Sequence, residues 1–203
     1  MAIELTAMAQ NGLLYATDHY DLDRYTRLRE VAAELLGLIT EASPATIGAA
    51  LAFEAGHATP KVDVRGALFE NDEVLLVREA RDQRWTLPGG WADPLDRPAG
   101  AAEREFAEEA GLAVKAVKLA AIHDGSAHNG HSPAGPWHIY KLFFLMERLD
   151  DAAPRAGLDG ETTDVGFFPL DRLPELSTTR TTAGQLHRMQ AHWRSPELPA
   201  DFD

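Results

Sequence analysis

The first part of the chain has the periodicity of helices. Between residues 24 and 39, apolar side chains recur at intervals of three and four, which places them on one face of an amphipathic helix. A further helix is predicted after Ser43 and Pro44, which suit an N-cap and a first helical position. The pattern predicts an N-terminal helical domain over residues 1–56, in which the DHYDLD stretch supplies turn and cap residues. The apolar face comprises Tyr25, Leu28, Ala32, Leu35 and Ile39.

Three short helices bury little apolar surface on their own. Such a domain either packs on the domain that follows it or pairs with a second copy of itself. The near-heptad spacing from Tyr25 to Ile39 favours a contact between two copies. We therefore predict a homodimer in which the N-terminal helices carry the contact.

A strand-like pattern begins after the GHATPK segment. The segments VDVRGALFE and EVLLVRE flank Asn71 and Asp72 in the manner of a β-hairpin. Further strands are predicted at residues 114–123, 137–147 and 164–170, and the second of these is apolar on both faces, which is typical of a central strand.

The remaining segments connect and cover these strands. Residues 124–136 are predicted to form a loop, residues 171–176 a short helical turn and residues 183–193 an amphipathic helix. This order of strands and helices predicts an α/β fold with a mixed sheet that helices cover on both faces.

Residues 90–112 combine a glycine loop with an acidic helix. Glu105, Glu108 and Glu109 lie three and four residues apart, so Glu105 meets both of the others on one helical face. Like charges at this spacing destabilise a helix, and a bound cation reverses that penalty. Because Mg2+ binds a few carboxylates and keeps water and substrate phosphates as its other ligands, the pattern predicts a site for Mg2+ or Mn2+.

A solvated acidic face is the alternative to a metal site, and the flanking residues argue against it. Gly89 and Gly90 allow the backbone to approach a ligand closely. Pro98 fits a first helical turn, and Gly111 fits a left-handed helix cap. The helix is thus bounded on both sides.

The stretch resembles the Nudix box, G-x5-E-x7-R-E-U-x-E-E-x-G-U with U apolar, which is the signature of Nudix hydrolases. Two positions in the loop depart from that pattern. Asp96 replaces the first glutamate, and Leu95 occupies a position that is often glycine in the family. The matching positions are Gly90, Arg104, Glu105, Phe106, Glu108, Glu109, Gly111 and Leu112.

The resemblance implies the α/β/α sandwich of that family, in a Nudix domain over residues 61–203. It also implies a pyrophosphohydrolase in which Glu105, Glu108 and Glu109 hold divalent ions. These ions neutralise charge, position the diphosphate and activate water. Arg104 lies next to Glu105 and four residues before Glu108, so we expect it to orient a carboxylate rather than to bind metal.

The surroundings of the box are similar to a bacterial Nudix subgroup that carries an N-terminal helical domain. Members of this subgroup act on nucleoside diphosphates linked to another moiety, including CDP-choline and ADP-ribose. The resemblance therefore implies cleavage into a nucleoside monophosphate and a phosphorylated second moiety. The segments that carry it are WTLPGGWAD at 85–93, HNGH, WHIYKLFF, ELST at 175–178 and the terminal LPADFD.

The box does not fix the general base, because in this family it is either a box glutamate or a carboxylate of a distant loop. Glu161 and Asp164 lie at the beginning of the DVGFFPL strand, where related enzymes often place such a carboxylate. A solvated turn is the alternative for both residues.

Substrate contacts are predicted around the glycine loop. Gly89 and Gly90 bring backbone close to the ions or the phosphates. Trp85 and Trp91 flank this loop and offer faces for stacking on a base, with core packing as the alternative.

Two histidines lie in the segment rich in Gly, Ser and Pro that follows residue 124. His128 and His131 have the spacing of one pair of zinc ligands but lack a second pair. We predict a loop that contacts substrate, with plain surface as the alternative.

Composition narrows the class of partner. The formal net charge of −13 repels phosphate polymers and argues against duplex nucleic acid as a ligand. The chain has no cysteine, which excludes a disulfide scaffold and thiol-ligated zinc and favours a reducing compartment. No segment reaches the roughly 18 apolar residues of a membrane span, and the N-terminus lacks a basic signal region. We therefore predict a cytoplasmic protein that acts on a small nucleotide.

Three other functions stay open. A Nudix-fold sensor would bind a nucleotide without turnover, although the intact box carboxylates argue against it. A second alternative is an enzyme that removes unwanted nucleoside triphosphates. The third, an RNA-processing enzyme, is weakened by the net charge.

Overall fold

The structure, a computed structural model, describes residues 1–40, 42–129, 137–157 and 160–203. These residues fall into two compact units. The first holds Met1–Lys61 with Trp137 and His138, and the second holds the described residues from Val62 onward apart from those two. The domain boundaries at residues 56 and 61 stay a proposal.

Helices α1, α2 and α3 make up most of the first unit. Helix α2 follows Asp18, whose side chain accepts hydrogen bonds from two backbone N–H groups, and α3 follows Ser43, which accepts from Thr46. The predicted cap at Ser43 is thus confirmed. Only Asp18 of the DHYDLD stretch is a cap, because the residues after it are already helical. The helices span Ala2–Tyr15, His19–Gly37 and Pro44–Phe53.

The predicted apolar face of α2 is used only in part within this unit. Ala32 is buried, and the ring of Tyr25 packs over Gly12. Ile39 is exposed and lies beyond the end of α2 at Gly37. The prediction that the apolar face continues to Ile39 was therefore wrong, because the helix ends at Gly37.

A seven-stranded mixed sheet forms the centre of the second unit. Its order is β3-β2-β1-β5-β4-β7, and β6 pairs with β2. Strands β4 and β7 are parallel, whereas β1–β2, β2–β6 and β4–β5 are antiparallel. Strand β5 lies between β1 and β4, as its apolar sequence predicted. The strands are β1 Lys61–Glu70, β2 Glu73–Glu79, β3 Trp85–Thr86, β4 Val114–Asp124, β5 Ile139–Arg148, β6 Thr162–Pro169 and β7 Asp201–Phe202.

The predicted hairpin between β1 and β2 is confirmed. Asn71 and Asp72 have φ angles of 52° and 65°. Two left-handed residues in succession form the two-residue turn whose twist matches that of the flanking strands, and Asn and Asp adopt this conformation more readily than most residues.

Helices cover both faces of the sheet. Phe106 and Ala102 of α4 pack against one face, and Leu186 and Met189 of α6 pack against the other. This arrangement confirms the predicted α/β/α sandwich. Helix α4 spans Pro98–Ala110, α5 spans Gly125–His128 and α6 spans Ala183–Arg194.

Two local predictions were wrong, and two short strands were missed. The predicted loop contains the short helix α5, which Asp124 caps by accepting a hydrogen bond from the N–H of Ser126. Residues 171–176 form a turn and a β-bridge from Leu176 to Trp85 instead of a helical turn. Strands β3 and β7 went unpredicted because two residues are too few to show a period.

No helix within the described ranges is long and apolar enough to cross a membrane.

Candidate active site

The glycine loop lies along β1. The N–H of Val64 donates to the carbonyl of Gly90 at 2.8 Å, and the N–H of Gly66 donates to the carbonyl of Pro88 at 2.9 Å. Gly89 has a φ of +142°, and a Cβ at this position would lie 2.0 Å from the carbonyl oxygen of Val64. Only glycine fits there, because any side chain would clash with β1. Gly89 therefore allows the loop to lie directly against this strand.

Glu109 is the buried member of the acidic face. Its side chain accepts a hydrogen bond from the N–H of Gly89 at 2.9 Å, and the residue is only 3% exposed. Burial raises the pKa of Glu109 to about 8, while the nearby charge of Arg65 and the bond from Gly89 oppose the rise. The carboxylate thus lies in a site that disfavours its negative charge.

Glu105 and Glu108 share the guanidinium of Arg104. The Nη1 atom of Arg104 lies 3.1 Å from Glu105 Oε1 and 2.7 Å from Glu108 Oε2. The side chain of Glu105 is 12% exposed and that of Glu108 is 46% exposed. Burial raises the pKa of Glu105, the charge of Arg104 opposes this, and the charge of Glu108 adds to it. Arg104 therefore contacts both of the carboxylates that the sequence places next to it on the helix.

The carboxylates fit a hard divalent ion by their chemistry. Within the described ranges no three His, Asp or Glu side chains converge as a ligand set, because two of the glutamates turn towards Arg104 and one towards Gly89. Burial is the main cause of the raised pKa values of Glu105 and Glu109, and repulsion from neighbouring carboxylates adds to it. A cation among these oxygens would oppose both shifts, because it favours the charged form of each carboxylate.

The two departures from the Nudix box have different consequences. Leu95 has a φ of 76° and is fully exposed, so a leucine occupies backbone that favours glycine. Asp96 accepts from the N–H of Asp93 at 3.3 Å and lies 3.4 Å from Nη2 of Arg104. The shorter acid therefore still reaches the arginine that orients the glutamates.

The two candidate bases have different surroundings. Glu161 is exposed, its carbonyl accepts from the N–H of Ala80 at 2.8 Å, and its charge raises the pKa of Glu105. Glu161 therefore lies close enough to Glu105 for its charge to act on that carboxylate. Asp164 is exposed, lies opposite Arg78 in the β2–β6 ladder, and accepts from the N–H of Val165.

The two tryptophans are placed differently. Trp85 contacts Phe168 edge-on, with ring centroids 4.6 Å apart, and packs against the core on the α6 side of the sheet. Trp91 is 46% exposed and forms a β-bridge with Asp63. Of the two, Trp91 has the free face that stacking on a ligand requires.

His128 lies near the β4–β7 edge of the sheet, away from β1, the strand next to the glycine loop. Its Nε2 atom is 2.6 Å from an Asp203 carboxylate oxygen, and its ring stacks on that of His123 at 4.0 Å. His123 is in β4 and Asp203 directly follows β7, and these strands lie two and three positions from β1 in the sheet. His131 lies outside the described residues.

A buried ion pair beneath the glycine loop was not predicted. Arg65 donates to both carboxylate oxygens of Asp63, at 2.9 and 2.7 Å, and to the carbonyl of Leu87 at 3.1 Å. The nearby Lys141 ammonium is 3.6 Å from Asp63. The signal was present in the sequence, because Asp63 and Arg65 are two residues apart in an otherwise apolar strand and therefore share a buried face.

Both parts of the chain match known families. The model of the NUDIX domain matches residues 59–189, and that of the UDP-X-like, N-terminal oligomerisation domain matches residues 1–51. A Bacillus subtilis protein named "Putative ADP-ribose pyrophosphatase YjhB" is 37% identical over 202 residues, which cover all of this chain and 95% of that protein.

Solved structures agree with these matches. An ADP-ribose pyrophosphatase from Streptococcus suis is 37% identical, with a TM-score of 0.64, over 71% of this chain and all of its own. A UDP-X diphosphatase is 27% identical, with a TM-score of 0.65, over all of this chain and 96% of its own. With the box carboxylates in place on α4 and the sandwich fold around them, the chain belongs to the Nudix hydrolase family.

Proposed function

We propose that this enzyme is a divalent-metal-dependent pyrophosphohydrolase that cleaves nucleoside diphosphates linked to another moiety, of the ADP-ribose or CDP-choline class. The observation that carries the proposal is that three carboxylates of α4 are held near the glycine loop, Glu109 by the N–H of Gly89 and Glu105 and Glu108 by Arg104. The names of the similar proteins, an ADP-ribose pyrophosphatase and a UDP-X diphosphatase, support the diphosphate class.

In this proposal Glu105, Glu108 and Glu109 would hold Mg2+ or Mn2+. A bound ion of this kind neutralises phosphate charge and lowers the pKa of coordinated water. Arg104 keeps Glu105 and Glu108 in position, and the N–H of Gly89 fixes Glu109. These contacts would keep the three carboxylates in place for the ion.

The reaction is hydrolysis of the phosphoric anhydride. Water oxygen bonds to one phosphorus, the bridging oxygen leaves with the other phosphate, and the products are a nucleoside monophosphate and a phosphorylated second moiety. Glu161 is the proposed acceptor of the water proton, and its exposure and the effect of its charge on Glu105 support this role.

Substrate preference tests the proposal. We expect ADP-ribose or CDP-choline to be hydrolysed with a kcat/KM at least about tenfold above that of dATP or dGTP, which corresponds to roughly 1.4 kcal/mol of transition-state binding. The reason is that a nucleoside diphosphate linked to another moiety offers a group for binding on each side of the metal site. A panel assay with Mg2+ and product identification measures this preference. Better turnover of the deoxynucleoside triphosphates would assign the enzyme to the nucleotide-sanitising branch, and binding without turnover would indicate a sensor.

We also propose that the first unit mediates a homodimer. Leu38, Ile39 and Phe53 are exposed there, and the matching family model is described as an oligomerisation domain. Leu38→Glu combined with Ile39→Glu is expected to give a monomer by light scattering, because two charges would be buried in the contact. Val117→Glu, at an exposed apolar residue of the second unit, is the control and should leave the mass unchanged. A wild-type monomer at micromolar concentration would refute the contact.

The proposed cytoplasmic location rests on composition. The chain has no cysteine, which suits a reducing compartment.

A further inference from the structure

Arg180 has an unusual set of contacts for an arginine outside the Nudix box. Its Nε atom lies 3.0 Å from a carboxylate oxygen of Glu79, and its Nη1 atom lies 3.3 Å from Asp82 and 3.0 Å from Ser177 Oγ. The side chain is 27% exposed. The guanidinium is thus fixed along one edge, and its Nη2 group takes no part in these contacts.

The backbone places this arginine close to the candidate site. Glu79 ends β2 and lies opposite Thr162 of β6, whose hydroxyl donates to the carbonyl of Glu109 at 3.0 Å. The residue before Thr162 is Glu161, the proposed base. Because paired strands lie about 4.8 Å apart, the backbone of Glu79 is one strand spacing from Thr162, which bonds to the last turn of α4.

The main chain at Arg180 is fixed as well. Its carbonyl accepts a hydrogen bond from Nζ of Lys141 at 2.7 Å, and this lysine is buried beside Asp63. Asp63 in turn holds Arg65, which bonds to the backbone of Leu87 ahead of the glycine loop. Buried ion pairs and hydrogen bonds therefore connect the position of Arg180 to that of the loop.

We propose that Arg180 binds the diphosphate of the substrate on the β2–β6 side of the glutamates, whereas Arg104 lies on their α4 side. The proposal rests on the proposed function, because it requires a diphosphate at this site. Arginine suits this role since its planar fork can bind two phosphate oxygens at once and stays charged throughout the working pH range. Glu79 and Asp82 orient the guanidinium, and the exposed edge meets the phosphate.

Equilibrium binding of inorganic pyrophosphate in the presence of Mg2+, measured by calorimetry, tests Arg180 independently of turnover. We expect Arg180→Ala to raise the Kd at least about tenfold and to raise the KM for ADP-ribose similarly, with kcat changed less than about threefold. Arg180→Lys keeps the charge but loses the fork, so its Kd should rise by about three- to tenfold. Arg84→Ala is the control, because Arg84 is exposed and paired with Glu175, and it should bind pyrophosphate as the wild type does.

Several outcomes would overturn the proposal. Wild-type affinity for pyrophosphate in Arg180→Ala would show that the arginine serves only to pair with Glu79. If Arg180→Ala unfolds, Arg180→Lys decides, and an unchanged Kd in that variant contradicts the role. A wild-type protein that binds pyrophosphate through Arg180 but hydrolyses no diphosphate substrate would refute the proposed function and leave this inference standing. Failure of the wild type to bind pyrophosphate would overturn the inference.

Discussion

Replacing Glu105 by glutamine is expected to lower kcat at least about a hundredfold while the protein stays folded. The substitution keeps the size of the side chain and removes its negative charge. Glu105 is largely enclosed, and a Cβ on Gly90 would lie 3.2 Å from its Oε2 atom, so this carboxylate faces the glycine loop. A neutral amide there would bind a divalent ion more weakly and would also loosen Arg104.

Glu103→Gln provides a matched control on the same helix. Glu103 points to another side of α4, where it accepts from the N–H of Ala116 at 3.0 Å and pairs with Lys115. We expect its kcat to stay within about twofold of the wild-type value, because it removes only an exposed ion pair. Steady-state kinetics at saturating Mg2+, together with circular dichroism, make the comparison. Equal kcat values for the two variants would show that Glu105 is not a ligand of the proposed metal site.

The metal-free protein is expected to lose stability as the pH rises from 5 to 8. The pKa of Glu109 is raised to about 8 by burial, so the folded state retains a proton that the unfolded state releases near pH 4.5. The stabilisation is therefore complete below the unfolded pKa and disappears as the pH approaches the folded pKa. For a shift of this size the loss is on the order of 3 to 5 kcal/mol of unfolding free energy.

Urea unfolding of dialysed protein at the two pH values measures this loss. Glu109→Gln is the matched variant, because its amide oxygen can still accept the bond from Gly89 while the titrating group is gone. We expect the stability of this variant to change by at least about 2 kcal/mol less between the two pH values, and we expect Mg2+ to stabilise only the wild type strongly at pH 8. Equal pH dependence in both proteins would show that Glu109 stays ionised in the folded state.

Much of the fold was predictable because its larger elements show a regular spacing of apolar residues or clear capping and turn residues. The helix over Pro98–Ala110 and the hairpin around Asn71 and Asp72 are specified by local residues, including a proline at the start, a glycine cap and a turn pair. Strands of two residues offer no such signal. Their existence depends on partners far along the chain, such as the pairing of Asp201 with Ala121.

The glutamates of the site were predictable for a similar reason. They lie on one helix at spacings of three and four residues, so the sequence alone brings them together. The contact between Arg104 and Glu108 follows from the same spacing and is present at 2.7 Å.

The rest of the site depends on tertiary contacts. Glu79 and Arg180 are distant in the sequence, and only the pairing of β2 with β6 places Glu79, the partner of Arg180, opposite Thr162, which bonds to the carbonyl of Glu109. The contact of His128 with Asp203 was not predictable, because Asp203 directly follows β7, a strand too short to show a period.

Hydrolysis of ADP-ribose after complete removal of divalent metal tests the central claim most directly. We predict that chelated and dialysed enzyme retains less than about one hundredth of its activity and that added Mg2+ or Mn2+ restores it, with AMP and ribose 5-phosphate as the products. Monovalent salt at matched ionic strength is the control and should restore nothing. Undiminished hydrolysis by the metal-free enzyme would contradict the assignment of Glu105, Glu108 and Glu109 as metal ligands.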